Sequence, residues 1–185
     1  MKKGKIVILS GQSGVDKDTV IDLWISKNPD IHKLVTCTTR HIREGETDGV
    51  HYHFLSKQEF ESMIENDEFI EWKQVHDNYY GSPKKETEEK VNQGKIVILK
   101  IDVQGAMDVM QKIPEAISIF LLPPSIEELE RRIRGRKTDD EQVIQLRLKN
   151  ALAELEYKGK YQYQVINDNL EDAVNQIENI IRNHK

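Results

Sequence analysis

Cysteine occurs once in these 185 residues, at Cys37. A single thiol excludes an internal disulfide framework and suits a reducing compartment, where it reads as a small, half-buried apolar residue. Blocks of like charge are missing as well. Twenty-seven lysines and arginines stand against 32 aspartates and glutamates, a formal net charge of -5 with both signs mixed along the chain. With no basic stripe or arm, nucleic acid is not an expected partner. The N-terminal MKKGKIVILS places positive residues before an apolar run. That run is too short for the hydrophobic region of a signal peptide and stops in a loop, so the expectation is a soluble, cytoplasmic protein with no membrane partner. Internal repeats, low-complexity tracts and linkers are lacking too. What remains, 37% hydrophobic and 32% charged residues, fits one ordinary globular domain with a sizeable core.

Apolar runs of strand length recur at Lys5–Leu9, Lys33–Cys37, Lys95–Ile101, Ile117–Leu122 and Tyr163–Ile166, and most precede segments of helical period. Strands alternating with helices predict an α/β fold with a mainly parallel sheet covered on both faces. In the last helix Leu170, Ala173, Val174, Ile177, Ile180 and Ile181 recur at spacings of three and four and form one apolar stripe. Ser82 followed by Pro83 reads as an N-cap and first-turn proline, opening a helix that Gly94 closes. Two regions interrupt the alternation. Between about Thr38 and Ser82, short alternating segments around the turn-like pair Asp77–Asn78 predict a small antiparallel insert. From Ser125 to about Lys158 a mostly helical insertion is broken by RRIRGRKTDDE.

The stretch VILSGQSGVDKDTV poses a problem of charge. An apolar strand, a loop opening at Gly11 and a helix opening at Lys17 have the order of a phosphate-binding loop, in which backbone N–H groups and one lysine cradle a nucleotide's phosphates. That pattern wants glycine before the lysine and a hydroxyl after it. Here Asp16 and Asp18 hold those places. One unpaired carboxylate about 4 Å from a phosphate charge costs on the order of 4 kcal/mol at an effective dielectric near 20. Farther on, Arg40 and Arg43 lie three apart in a polar, glycine-containing stretch with Tyr52 beyond, and guanidinium forks suit phosphate oxygens. Glu71, Tyr80 and Ser82 supply a carboxylate and hydroxyls that could read a base edge; the plainer alternative is a half-buried hairpin with Trp72 and Tyr79 packing. His51 and His53 could share a strand face, but no third ligand accompanies them, so no protein metal site is expected.

Taken in order, SGQSGV, TTRHIREGETDGVHYHF, EFIEW, NYYGSP, IDVQGA, FLLPPSIEELERRIRGR and VINDNL span nearly the whole chain, and their sequence and spacing resemble the guanylate kinase family. The resemblance implies a P-loop kinase core over residues 1–37, 83–124 and 159–185, a GMP-binding insert over 38–82 and a helical lid over 125–158. It implies transfer of the γ-phosphoryl of ATP to GMP or dGMP, with Mg²⁺ arriving on the ATP. Arg40, Arg43, Tyr52 and Tyr80 match residues that hold the GMP phosphate; Glu71, Ser82 and Thr36 match those that read guanine; Asp102 matches an aspartate near the acceptor. Gly11, Gln12, Ser13, Gly14, Val15, Asp16, Lys17, Asp18 and Thr19 correspond to the ATP-binding loop. Arg136 and Arg147 match lid arginines on the transferring phosphoryl, and Asn167 lies where the family contacts adenine. Lys17, Arg40, Arg43, Arg136 and Arg147 are thus the candidate catalytic cations, in keeping with a reaction that needs positioning and positive charge.

The departures gather on the donor side. Asp16 and Asp18 replace small residues, Lys137 stands where glycine is common, and Lys100 stands where the family usually has an acid. Two expectations follow: activity lowered by the aspartates, or a non-catalytic module of the same fold that binds GMP or a phosphopeptide. The strand ending VILKID should run beside the first strand, which predicts that Lys100 pairs with Asp16 or Asp18.

Overall fold

The structure, a computed structural model, describes residues 3–135 and 139–185. Five parallel strands form the main sheet: β1 (Lys5–Gly11), β2 (Ile31–Lys33), β7 (Ile96–Lys100), β8 (Ile117–Leu122) and β9 (Tyr163–Ile166), in the order β2-β7-β1-β8-β9. The numbers missing from that series, β3 to β6, belong to a second sheet. Both faces of the main sheet are covered, which is why its strands are apolar at nearly every position. Val7, Leu9, Ile98, Ile117, Ile119 and Leu121 face one core, shared with α1 (Lys17–Lys27) and α7 (Leu170–Asn183). Ile8, Val97, Leu99 and Phe120 face the other, filled by Val103, Ala106 and Val109 of α4 (Val103–Lys112). The alternation within each strand is the period of two expected of a pleated backbone. The apolar stripe read in the last helix is buried as read, through Ala173, Val174, Ile177 and Ile181.

The second sheet has the order β4-β3-β6-β5, with β3 Cys37–Thr38, β4 His53–Phe54, β5 Phe69–Val75 and β6 Asn78–Pro83. Its pairings are antiparallel except for the short β3–β4 contact. A small core of Cys37, Phe60 and Phe69 lies beneath, with the Phe60 ring stacked on Phe69 at 4.4 Å and on Tyr79 at 5.0 Å. Burial, with the Glu86 charge added, pushes the Cys37 thiol up to about 12, consistent with a packing residue.

Four local readings change. The run Lys33–Cys37 is not one strand: β2 ends at Lys33 on the edge of the main sheet and β3 begins at Cys37 in the second sheet. Between them the chain crosses from one sheet to the other, and the Thr36 carbonyl accepts from His53 N–H. Ser82 does not cap α3 (Lys84–Asn92); it belongs to β6, Pro83 takes the cap position, and the Ser82 hydroxyl turns to Glu71 instead. The hairpin turn is His76–Asp77, since Val75 pairs with Asn78, and His76 takes the positive φ of 54°. A helix absent from the reading above, α2 (Lys57–Glu65), is opened by a reciprocal capping box between Ser56 and Glu59.

The helical insertion consists of α5 (Ile126–Arg134) and α6 (Glu141–Leu155). Glu86 of α3 ties the two sheets together: its carboxylate meets His32 of β2 at 3.0 Å and His53 of β4 at 3.2 Å. No helix among the described residues is long and apolar enough to cross a membrane.

Candidate active site

All strands of the main sheet run one way, so the loops after β1, β2 and β7 emerge on one edge. The loop between β1 and α1 is fastened from outside at three points. Gln12, fully buried, donates through Nε2 to the Ala151 carbonyl of α6 at 3.0 Å. Arg147, also on α6, reaches Ser13 Oγ at 3.4 Å and pairs with Asp139 at 2.6 Å. Asn167, after β9, donates through Nδ2 to the Val15 carbonyl at 2.8 Å. Its amide therefore buttresses the loop. Gly14 has a φ of +91°, which a side chain would resist, and its missing Cβ would lie 3.1 Å from Ile133. Lys17 Nζ donates to the carbonyls of Gly11 and Gln12 at 3.0 and 3.2 Å.

The two aspartates have separate accounts. Asp16 sits in the left-handed region, φ 58° and ψ 47°, the conformation for which glycine is the default and which Asp tolerates better than most residues. It caps α1 through its backbone, without a side-chain cap bond, and its side chain is exposed. Asp18 lies in the first turn of α1, where one oxygen meets Lys100 at 2.8 Å and Lys33 at 3.1 Å. Burial would raise this carboxyl, but hydrogen bonds and charge from Lys100 and Lys33 outweigh it and hold it below its ordinary value. The expected pairing of Lys100 is thus with Asp18, and a second lysine joins it. Thr19 is exposed in the same turn.

Beside this loop a cleft of about 140 Å³ opens between the two sheets, lined by Thr36, Tyr52, Glu71, Lys73, Tyr80, Lys100 and Asp102 among others. Glu71 is only 6% exposed, and Ser82 Oγ donates to its Oε1 at 2.7 Å. Burial raises the Glu71 carboxyl, against the Ser82 hydrogen bond and the charge of Lys73. Gly105 of α4 passes so close that an added Cβ would stand 3.0 Å from Glu71 Oε2. Asp102 caps α4 by accepting from Gly105 N–H at 2.9 Å and forms an ion pair with Lys73. Burial pulls the Lys73 ammonium down, while Glu71 and Glu154 pull it up.

At the far side of the cleft the Arg40 guanidinium lies 5.3 Å from the centroid of the Tyr52 ring and is gripped by both oxygens of Glu46, at 2.8 and 3.1 Å. Arg40 and the Arg43 backbone N–H hold the Glu46 carboxyl down to about 2. Tyr52 and Tyr80 meet edge to face at 6.1 Å. Arg43 itself is exposed on the loop outside.

The structure therefore gathers Thr36, Tyr52, Glu71, Tyr80 and Asp102 around one cleft, sets Ser82 behind Glu71, and sets Arg40 beside Tyr52. It gathers residues 11–19 into one loop with Arg147 and Asn167 against it. Arg136 and Lys137 lie outside the described residues. Three contributors were missed in the sequence. Lys73 follows Glu71 by two on the same strand and so shares its face, a signal that was present. Glu46 stands three and six residues beyond the two arginines, but nothing in the sequence marks it as their holder. The closeness of Gly105 to Glu71 had no local signal at all.

Among the described residues no group of three or more His, Cys, Asp or Glu side chains could hold a metal ion. A larger hollow, about 720 Å³, lies at the opposite end of the sheet beside Lys5, Val91, Ile113 and His184, away from these groups.

A parallel sheet with a strand, lysine-bearing loop and helix at its C-terminal edge, facing a second cleft with a buried carboxylate, defines a P-loop kinase of the α/β class. The guanylate kinase family model matches residues 3–184. Relatives named guanylate kinase include those of Fusobacterium nucleatum, 47% identical over 99% of this chain and 98% of that protein, and Carboxydothermus hydrogenoformans, 45% identical over 100% and 91%. The crystal structure of guanylate kinase from Anaplasma phagocytophilum superposes with a TM-score of 0.77 at 35% identity, covering 98% of this chain and 86% of that one. A shikimate kinase from Bacteroides thetaiotaomicron, 13% identical with a TM-score of 0.54, shares the fold. The chain belongs to the guanylate kinase family, whose members are ATP-dependent nucleoside-monophosphate kinases.

Proposed function

We propose that the chain transfers the γ-phosphoryl of ATP to GMP or dGMP, giving ADP and the corresponding diphosphate. The observation that carries this reading is the buried Glu71 carboxylate, braced by Ser82, at the base of a cleft that opens toward the lysine-bearing loop. An ionised carboxylate accepts from guanine's ring N–H and exocyclic amino group, and adenine offers no matching pair of donors on that edge. Thr36 and Asp102 complete the base end; Tyr52, Tyr80, Arg40 and Arg43 take the acceptor phosphate, with Glu46 yielding the Arg40 fork to it. Lys17, Arg147 and Arg136 hold the transferring group, Gly11 to Thr19 the donor phosphates, and Asn167 the loop beneath them. On this reading residues 38–82 are the GMP-binding insert and 125–158 the lid over the core. Magnesium would ride on the nucleotide, held by phosphate oxygens and water.

The two aspartates are compatible with turnover. Asp18 is already neutralised by two ammonium groups, and Asp16 is exposed to solvent, where screening weakens its repulsion of phosphate. The relatives are named guanylate kinases, and nothing among them favours a non-catalytic binding module. An ADP-release assay with ATP and Mg²⁺ should give turnover with GMP and little with AMP. In Glu71→Gln the preference should fall by at least about tenfold, because the acceptor for two donors becomes half donor. A preference left intact would remove Glu71 from this role.

A further inference from the structure

Lys100 ends β7 beside Leu9 of β1, at the point where the main sheet meets the loop. Its ammonium is 2.8 Å from Asp18 on the donor helix, yet the same residue lines the cleft that holds Tyr52, Tyr80 and Asp102. It stands on the boundary between donor loop and acceptor cleft, one-third exposed. Charge counting then matters. Asp18 carries one negative charge and meets two lysines, so Lys33 alone would neutralise it and the charge of Lys100 is surplus. An ammonium has three donors, and the bond to Asp18 uses one. The remaining N–H groups are available to a ligand in the cleft it lines.

We propose that Lys100 is a further phosphate-binding residue, reaching the acceptor phosphate from the donor side, and that Asp18 is the positioning carboxylate that holds it there. This rests on the reading that the cleft takes GMP. The arginines approach the acceptor phosphate from the insert, whereas Lys100 approaches from the core sheet, which encloses the phosphate at the face where the γ-phosphoryl must arrive. Asp18 thus acts through Lys100 and needs no contact with substrate. A family position that the resemblance gives to an acid has become a base, and the acid has moved to the helix facing it.

The test is calorimetric binding of GMP and of guanosine, without ATP, to wild-type protein and to Lys100→Met, Lys100→Arg, Asp18→Asn and the Lys100→Met/Asp18→Asn pair. Lys100→Met should weaken GMP by about tenfold or more, the worth of a lost charge-assisted hydrogen bond, and leave guanosine within about twofold. The loss should persist in the Asp18→Asn background, and Lys100→Arg should restore most of it, which also shows that the position tolerates change. Asp18→Asn alone should weaken GMP by less than Lys100→Met does. The role is overturned if the GMP loss disappears when Asp18 is neutralised, because Lys100 would then serve only to offset that acid. It is equally overturned if guanosine weakens in step with GMP. Wild-type protein that binds neither ligand would overturn the acceptor reading itself, an outcome separate from both.

Discussion

Asp16 is a conformational substitution before it is an electrostatic one. A left-handed backbone costs an ordinary L-residue about 1–2 kcal/mol, less for Asp, and costs glycine almost nothing. Asp16→Gly should therefore stabilise the fold by a few tenths to about 1 kcal/mol, offset in part by the looser unfolded chain. Urea unfolding measures this as a higher midpoint at constant slope. The same change removes an exposed carboxylate from the loop proposed to hold the donor phosphates, so ATP affinity should rise severalfold while GMP affinity stays constant. Asp18→Gly should not share that gain, since it strips the partner from Lys33 and Lys100. If ATP affinity rose equally in the two variants, the distinction drawn between them would be wrong. The pairing of Lys100 with an aspartate was legible in the sequence, because strand order alone sets the end of β7 beside that of β1. Which aspartate was not legible: Asp16 takes the left-handed backbone before α1 with its side chain exposed, while Asp18 in the first helical turn meets the lysines.

At the scale of elements, the loop between β1 and α1, proposed above to hold the donor phosphates, is held mostly by its neighbours. Gln12 bonds to α6, Ser13 is met by Arg147 of α6, and Val15 is bonded by Asn167 at the start of the turn into α7. Of these the Asn167 amide makes the shortest bond, 2.8 Å, from a residue only 5% exposed. Removing it leaves a buried carbonyl unpaired, so Asn167→Ala should lower stability by about 1–3 kcal/mol. It should also weaken ATP severalfold by loosening the loop while leaving GMP binding intact, as titration with each nucleotide would reveal. Loss of both ligands in parallel would mean general unfolding instead. The strands β1, β7, β8 and β9 and the helix α7 were readable because burial on two faces or along one stripe leaves a periodic apolar pattern. The split between β2 and β3 was not, since a chain that passes from one sheet to another stays apolar without a break in composition. Helix α2 left a signal in Ser56 and Glu59 that competed with the strand-like alternation on either side. Ser82 obeyed its tertiary partner, Glu71, over its local capping preference.

At the scale of the whole molecule, two sheets meet along one cleft, and Glu86 fastens them through His32 and His53. The deepest strand of the larger sheet is also the first one made. Among the described residues β1, Lys5–Gly11, pairs with β7 and β8 alone, which begin at Ile96 and Ile117. At roughly 5–20 residues per second, a ribosome takes on the order of ten seconds to supply those partners. Through that interval Val7, Ile8 and Leu9 have neither neighbouring strand nor core, and the second sheet, complete by Pro83, can form ahead of them. A chain ending at residue 95 should therefore lack protection at β1 in hydrogen exchange, whereas one ending after β9 and α7 should acquire it cooperatively; early protection at β1 would refute the order. The centre of this kinase thus waits on strands made long after its first segment, and a newborn chain carries the apolar run of Val7, Ile8 and Leu9 bare for longer than the later parts of its core.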